Sequence, residues 1–115
     1  MRKYTFILFF ALFFNLLAGD NHVVLQPGNN PHTETGIPAD MPDVYYDSQN
    51  GVITIVDYAN VTYYVTIYDD WWNVALTDIK PGGGTINVSS LTSGDYVIEI
   101  TTSWNNQYEG TFTVP

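Results

Sequence analysis

The residues able to do chemistry in this chain are few. Its two histidines, His22 and His32, both precede residue 43, so residues 43–115 hold no imidazole to act as base for a Ser or Thr nucleophile. Lys80, standing alone before Pro81, is a poor substitute. No cysteine is present, which removes thiol chemistry, iron–sulfur ligation and disulfides together. Asp69 and Asp70 form a carboxylate pair, but glycosidase work needs two carboxyls ~5 to 9 Å apart across a cleft, for which a domain this small has little room. Calcium is the one metal to weigh, because hard oxygen ligands are abundant around Asp47, Ser48 and Asn50, around Asp69 and Asp70, and at Thr92 and Ser93. Their spacing matches no calcium loop, and acids in these positions are ordinary turn formers. Gly82 to Gly84 is followed by no Lys-Ser or Lys-Thr and opens no helix, so it is not a phosphate loop. The expectation is a protein with no catalytic residue, metal or cofactor, and not an enzyme.

Aromatic side chains are what remain. Trp71, Trp72 and Trp104 fall in turns, where a large apolar ring either packs or binds, and sugar rings stack on such side chains. Tyr64 and Tyr68, with Thr62, Thr66, Val97, Thr101 and Thr111, define a second candidate surface on one outer sheet face.

The elements that position these residues follow from the chain's punctuation. Residues 1–19 read as a cleaved signal peptide: Arg2 and Lys3 supply a cationic tip, Tyr4 to Leu17 is an uncharged, mostly apolar run, and Ala18 and Gly19 close it. The run is too short to span a ~30 Å hydrocarbon core as a helix. Leu16-Leu17-Ala18-Gly19 resembles the sequence ahead of the lipid-modified cysteine of bacterial lipoproteins, but Asp20 follows it. The mature chain is therefore expected to be secreted or periplasmic, without a transmembrane segment. Removing Arg2 and Lys3 leaves Lys80 as the sole Lys or Arg against all 12 carboxylates, so the formal charge, −9 for the whole chain, becomes more negative still. Nucleic acid and anionic membrane surfaces would repel such a protein.

Residues 20–42 are rich in Pro, Gly and Asn, with only Val23-Val24-Leu25 able to pack, and read as an irregular N-terminal linker. From Asp43 the pattern becomes short β-rich runs with turn residues between them, and no helical period is sustained. Seven strands are expected, at 43–47, 52–57, 61–68, 73–78, 85–88, 95–102 and 107–114, forming a small antiparallel β-sandwich over 43–115. Period-two alternation places Val61, Tyr63, Val65 and Ile67 inward, with Tyr96, Ile98, Ile100, Phe112 and Val114. Glu99 and Glu109 then point outward, and Val74, Leu76, Ile86, Val88, Leu91, Ile53 and Ile55 complete the expected core. The same alternation sends Trp104 to the end of the sandwich opposite Trp71 and Trp72.

The segment Leu91-Thr92-Ser93-Gly94-Asp95-Tyr96 looks like the tyrosine corner of immunoglobulin-type sandwiches, with Leu91, Gly94 and Tyr96 as its structural residues. Ile98 stands where antibody-type domains carry a cysteine, so a fibronectin type III-like sandwich is the closer analogy. Taken over 43–115, the order of hairpin, Gly-rich loop, Leu-x-x-Gly-x-Tyr strand and closing Gly110-x-Phe112 strand is similar to a family of small secreted Ig-like proteins of unknown function from gut bacteria. Ile86 to Val114 also resembles, more weakly, the C-terminal sorting domains of type IX secretion substrates. Neither resemblance supplies catalytic residues. The expected function is binding of another protein or a cell-envelope component; the alternative is carbohydrate binding through Trp71 and Trp72.

Overall fold

A computed structural model describes residues 20–28 and 38–115. The expected signal peptide, His32 and the middle of the expected linker lie outside the described residues. The described residues form nine strands: β1 (Asp20–Val23), β2 (Gln26–Pro27), β3 (Asp43–Asp47), β4 (Val52–Val56), β5 (Thr62–Tyr68), β6 (Val74–Pro81), β7 (Gly84–Asn87), β8 (Gly94–Thr102) and β9 (Gln107–Val114). They form a four-stranded sheet in the order β1-β3-β4-β7 and a five-stranded sheet in the order β2-β9-β8-β5-β6. Every pairing is antiparallel.

The alternation that organises the core is plain in β5. Val61 and, within the strand, Tyr63, Val65 and Ile67 are buried, while Tyr64 between them is exposed. Ile53 and Ile55, Ile86 and Val88, and Tyr96, Ile98 and Ile100 meet them from the neighbouring strands. Phe112 is held between Tyr46, at 5.0 Å between ring centroids, and Tyr96, at 5.6 Å and nearly parallel. Between β6 and β7 the chain changes sheets through Gly82 and Gly83, at φ 71° and 82°, a region that side-chain-bearing residues avoid.

The first two strands correct the expected count of seven, and they make paired strand of part of residues 20–28, where irregular chain was expected. β1 pairs with β3, and three residues later β2 pairs with β9, so the segment straps one side of the sandwich by bonding to both sheets. Val23 and Leu25 enter the core at 3% and 6% exposure, while Val24 faces solvent. The strap fits because β9 has a glycine beneath it: a Cβ on Gly110 would stand 2.7 Å from the carbonyl oxygen of Val24 and 2.8 Å from Val23 Cγ1. Asp40 makes the second attachment. Its carboxylate, 1% exposed, accepts hydrogen bonds from the hydroxyls of Tyr108 and Thr102 and from the Asn106 amide.

Val74 corrects another expectation. It was expected in the core and is 59% exposed. Ile67 pairs with Leu76 but Tyr68 pairs with Val74, so a bulge leaves Ala75 over and turns Val74 onto the outer face beside Tyr68.

Candidate functional site

Pairing register arranges the outer face of the five-stranded sheet in rows, because directly opposed residues in an antiparallel ladder share a face. Ile79, Tyr64, Thr101 and Gln107 make one row; Thr77, Thr66, Glu99, Glu109 and Gln26 the next; Val74, Tyr68, Val97 and Thr111 the third. Along β5 and β6 the first and third rows present apolar groups to solvent: Tyr64 is 47% exposed and Ile79 57%. Thr66 and Thr77, being short, leave an open depression of about 440 Å³ beside Tyr64 and Ile79. In contrast, Val97, flanked in register by Tyr68 and Thr111, is buried although it lies on the outer face.

The turn beyond Tyr68 extends this strip. Asp69 organises it: one carboxylate oxygen accepts the amides of Trp71 at 2.8 Å and Asn73 at 2.9 Å, and the Asp69 amide donates to the Asn73 carbonyl. Trp72 closes the turn, its amide donating to the Asp69 carbonyl at 3.1 Å, and has φ 62°. A left-handed conformation costs a bulky L-residue ~1 to 2 kcal/mol, so the turn is stabilised by its hydrogen bonds and not by its tryptophan. The Trp72 ring lies 5.7 Å from that of Tyr68. Both tryptophans nevertheless remain open to solvent, Trp71 at 72% and Trp72 at 47%. The Tyr68 hydroxyl donates to Glu99 at 3.3 Å. Partial burial first, and then the negative charge of Glu99, raise the Tyr68 pKa, which keeps the phenol a neutral donor.

Tyr64, Tyr68 and Trp72 therefore share one strip, to which the structure adds Val74 and Ile79, and Trp71 is exposed in the turn at its end. Trp104 does not join them: its turn follows Thr102, which pairs with Tyr63 at the far end of β5, and there the ring is 53% exposed. At Tyr96 the hydroxyl donates to the carbonyl of Thr92 at 2.7 Å, the backbone return of a tyrosine corner, and Leu91 packs against the core.

The acids of the turns serve their own backbones. Asp47 accepts from the amides of Gln49 and Asn50 and from the Asn50 side chain, the last of these being the chief reason its pKa is lowered. At Asp57 burial opposes ionisation, but bonds from the Tyr63 hydroxyl and the amides of Ala59, Asn60 and Val61 outweigh it and lower the pKa. Among the described residues no three His, Asp or Glu side chains gather as a metal site. No helix among them is long and apolar enough to cross a membrane.

Two functional candidates were missed in the sequence. Continuing the alternation of β6 past Asp78 would have set Ile79 opposite Tyr64; Val74 carried no such signal, because the bulge decides its side.

A protein from Bacteroides vulgatus ATCC 8482, described as a DUF3244 family protein with an immunoglobulin-like beta-sandwich fold, is similar in structure, with a TM-score of 0.62 at 20% sequence identity. The likeness covers 82% of this chain and 97% of that one. This chain has the immunoglobulin-like sandwich fold. No family model matches it, and no curated protein does. The Ig-like fold accounts for the two antiparallel sheets and leaves the chemistry to the surface, since sandwiches of this kind host unrelated functions.

Proposed function

We propose that this chain is an exported, non-enzymatic Ig-like module that binds another protein or a cell-envelope component through the outer face of β5 and β6. The observation that carries this reading is the strip itself. Tyr64, Ile79, Val74 and the two turn tryptophans expose apolar surface along two neighbouring strands, where a solvated sheet face would ordinarily carry polar groups. The leader of residues 1–19 supports export, and the Bacteroides neighbour supports a place among small Ig-like proteins of gut bacteria. The absence of histidine from residues 43–115 supports binding over catalysis. In co-purification from cell envelopes, Tyr64→Ala with Tyr68→Ala should lose the partner retained by the unaltered protein; retention by the double variant would count against this face.

Carbohydrate binding through Trp71 and Trp72 is the second reading. It is favoured by the strained backbone of Trp72 beneath a half-exposed ring, since strain of this kind concentrates at functional positions. Retardation in glycan-containing gels that disappears in a Trp71→Ala, Trp72→Ala variant would promote it over the protein-binding reading. Unchanged mobility across plant and host glycans would remove it.

A further inference from the structure

We infer that the partner of this face is an extended basic polypeptide segment carrying apolar, basic and apolar side chains at alternate positions. The inference rests on the binding-face reading and adds the partner's chemistry to it. Between the two apolar rows lies a polar one, in which Glu99 and Glu109 stand directly opposite each other on β8 and β9. Like charges so placed repel, and each opposed pair of this kind works against the sheet. No lysine or arginine among the described residues relieves them: Lys80, the only one, belongs to β6, pairs with Asp78 at 3.4 Å and lies opposite Tyr63 of the core face. Among the described residues the Tyr68 hydroxyl is the one donor on Glu99, at 3.3 Å, and it is neutral, so it does not cancel the charge. The row thus holds two negative charges that a guanidinium or ammonium group would neutralise.

Spacing supplies the rest of the motif. Tyr64, Thr66 and Tyr68 succeed one another on the outer face at ~6.6 Å intervals, which is also the same-side repeat of any extended chain laid along β5. A segment in that position would set one apolar side chain against Tyr64 and Ile79 and another against Tyr68 and Val74. Its middle residue would lie over the short Thr66 and Thr77, within reach of Glu99. Strand addition to the outer edge of β6 is the less suitable mode. There the Ile79 amide already donates to the Asp78 carboxylate at 2.8 Å, and Lys80 and Pro81 close the strand, all of which discourage edge pairing.

The test uses the isotope-labelled protein and the capped peptide Thr-Leu-Ser-Arg-Ser-Leu-Thr, with versions bearing Glu for Arg or Ser for both Leu. Titration followed by NMR should shift amides of β5, β6 and the 97–101 stretch, and either replacement in the peptide should weaken binding at least tenfold. Glu99→Gln with Glu109→Gln should weaken it comparably, whereas Asp47→Asn on the other sheet should change it less than twofold. The same Glu pair of substitutions should raise the melting temperature by a few degrees at low salt, a readout independent of any ligand. Equal weakening by Asp47→Asn, undiminished binding of the Glu peptide, no shifts with the Arg peptide, or a lowered melting temperature would each overturn the inference. If Tyr64→Ala with Tyr68→Ala abolishes envelope co-purification but the Glu substitutions leave it intact, the binding face stands and the basic partner falls.

Discussion

Two sides of this sandwich treat their unusual side chains in opposite ways. Just ahead of β3, a carboxylate that would prefer water is taken wholly out of it: Asp40 is 1% exposed and is held by three donors from Thr102, Asn106 and Tyr108, all in or between β8 and β9. Along β5 and β6, apolar groups that would prefer burial are left in water, with Ile79 57% and Trp71 72% exposed. The first arrangement is costly unless every partner is present, so it marks a structural fastening. The second gains nothing for folding, and this is the observation on which the proposed binding surface rests. Substitution should separate the two, since fastening residues should change stability and strip residues should change binding.

The largest effect is expected at Asp40. Asp40→Ala strands the donors of Tyr108, Thr102 and Asn106 in the interior and should reduce unfolding free energy by ~3 kcal/mol in urea titration. A loss below ~1 kcal/mol would mean that the strap side is fastened by packing alone. The same cluster should fail at alkaline pH. Burial first, and then the hydrogen bond to Asp40, raise the Tyr108 pKa far above that of a free phenol, and burial with Asp57 does the same for Tyr63. Folding therefore favours the protonated phenols. Their contribution is intact below the unfolded pKa of ~10 and is lost as pH rises through the higher folded values. The urea midpoint should fall between pH 9 and 11, and a flat profile would contradict the burial of both hydroxyls.

Gly110→Ala comes next. Its new methyl would press on Val24 and Val23, and overpacking of this kind destabilises by ~2 kcal/mol. Hydrogen exchange should accelerate in residues 20–28 more than in β5; uniform acceleration would show that the strap and the sandwich open as one unit. Tyr96→Phe removes the bond to the Thr92 carbonyl and should cost about 1 kcal/mol, with binding unaltered. The smallest stability change belongs to the strip. Trp71→Ala should shift stability by no more than ~0.5 kcal/mol, and Trp72→Asn should be neutral or stabilising by up to ~1 kcal/mol, because Asn tolerates the left-handed backbone. A large loss at either tryptophan would move it to the fastening side of the comparison.

Much of the sandwich was legible because its strands announce themselves locally. From Asp43 onward, alternation such as Val61, Tyr63, Val65 and Ile67 coincides with turn residues at Asn50-Gly51 and Gly82-Gly83, and nine-residue spans such as β8 leave the helical period no support. The strap was not legible. Val23 and Leu25 are only two inward residues among Pro, Gly and Asn, and what makes strands of β1 and β2 is pairing with β3 and β9, more than twenty and more than eighty positions away. The exposed strip was half legible: Tyr64 and Tyr68 follow from alternation, whereas Val74 depends on a bulge, and nothing local distinguishes a bulged strand from a regular one.

Sequence alone determined the class of the fold, the inward face of most strands and the absence of histidine and cysteine from residues 43–115, because composition and period-two patterning are properties of neighbouring residues. Tertiary structure decided that residues 20–28 are a strap, that Asp40 is buried against β8 and β9, and that Val74 and Ile79 join Tyr64, Tyr68 and Trp72 on one face. Each of these depends on register between distant strands, and register is set by which surfaces meet when the two sheets close.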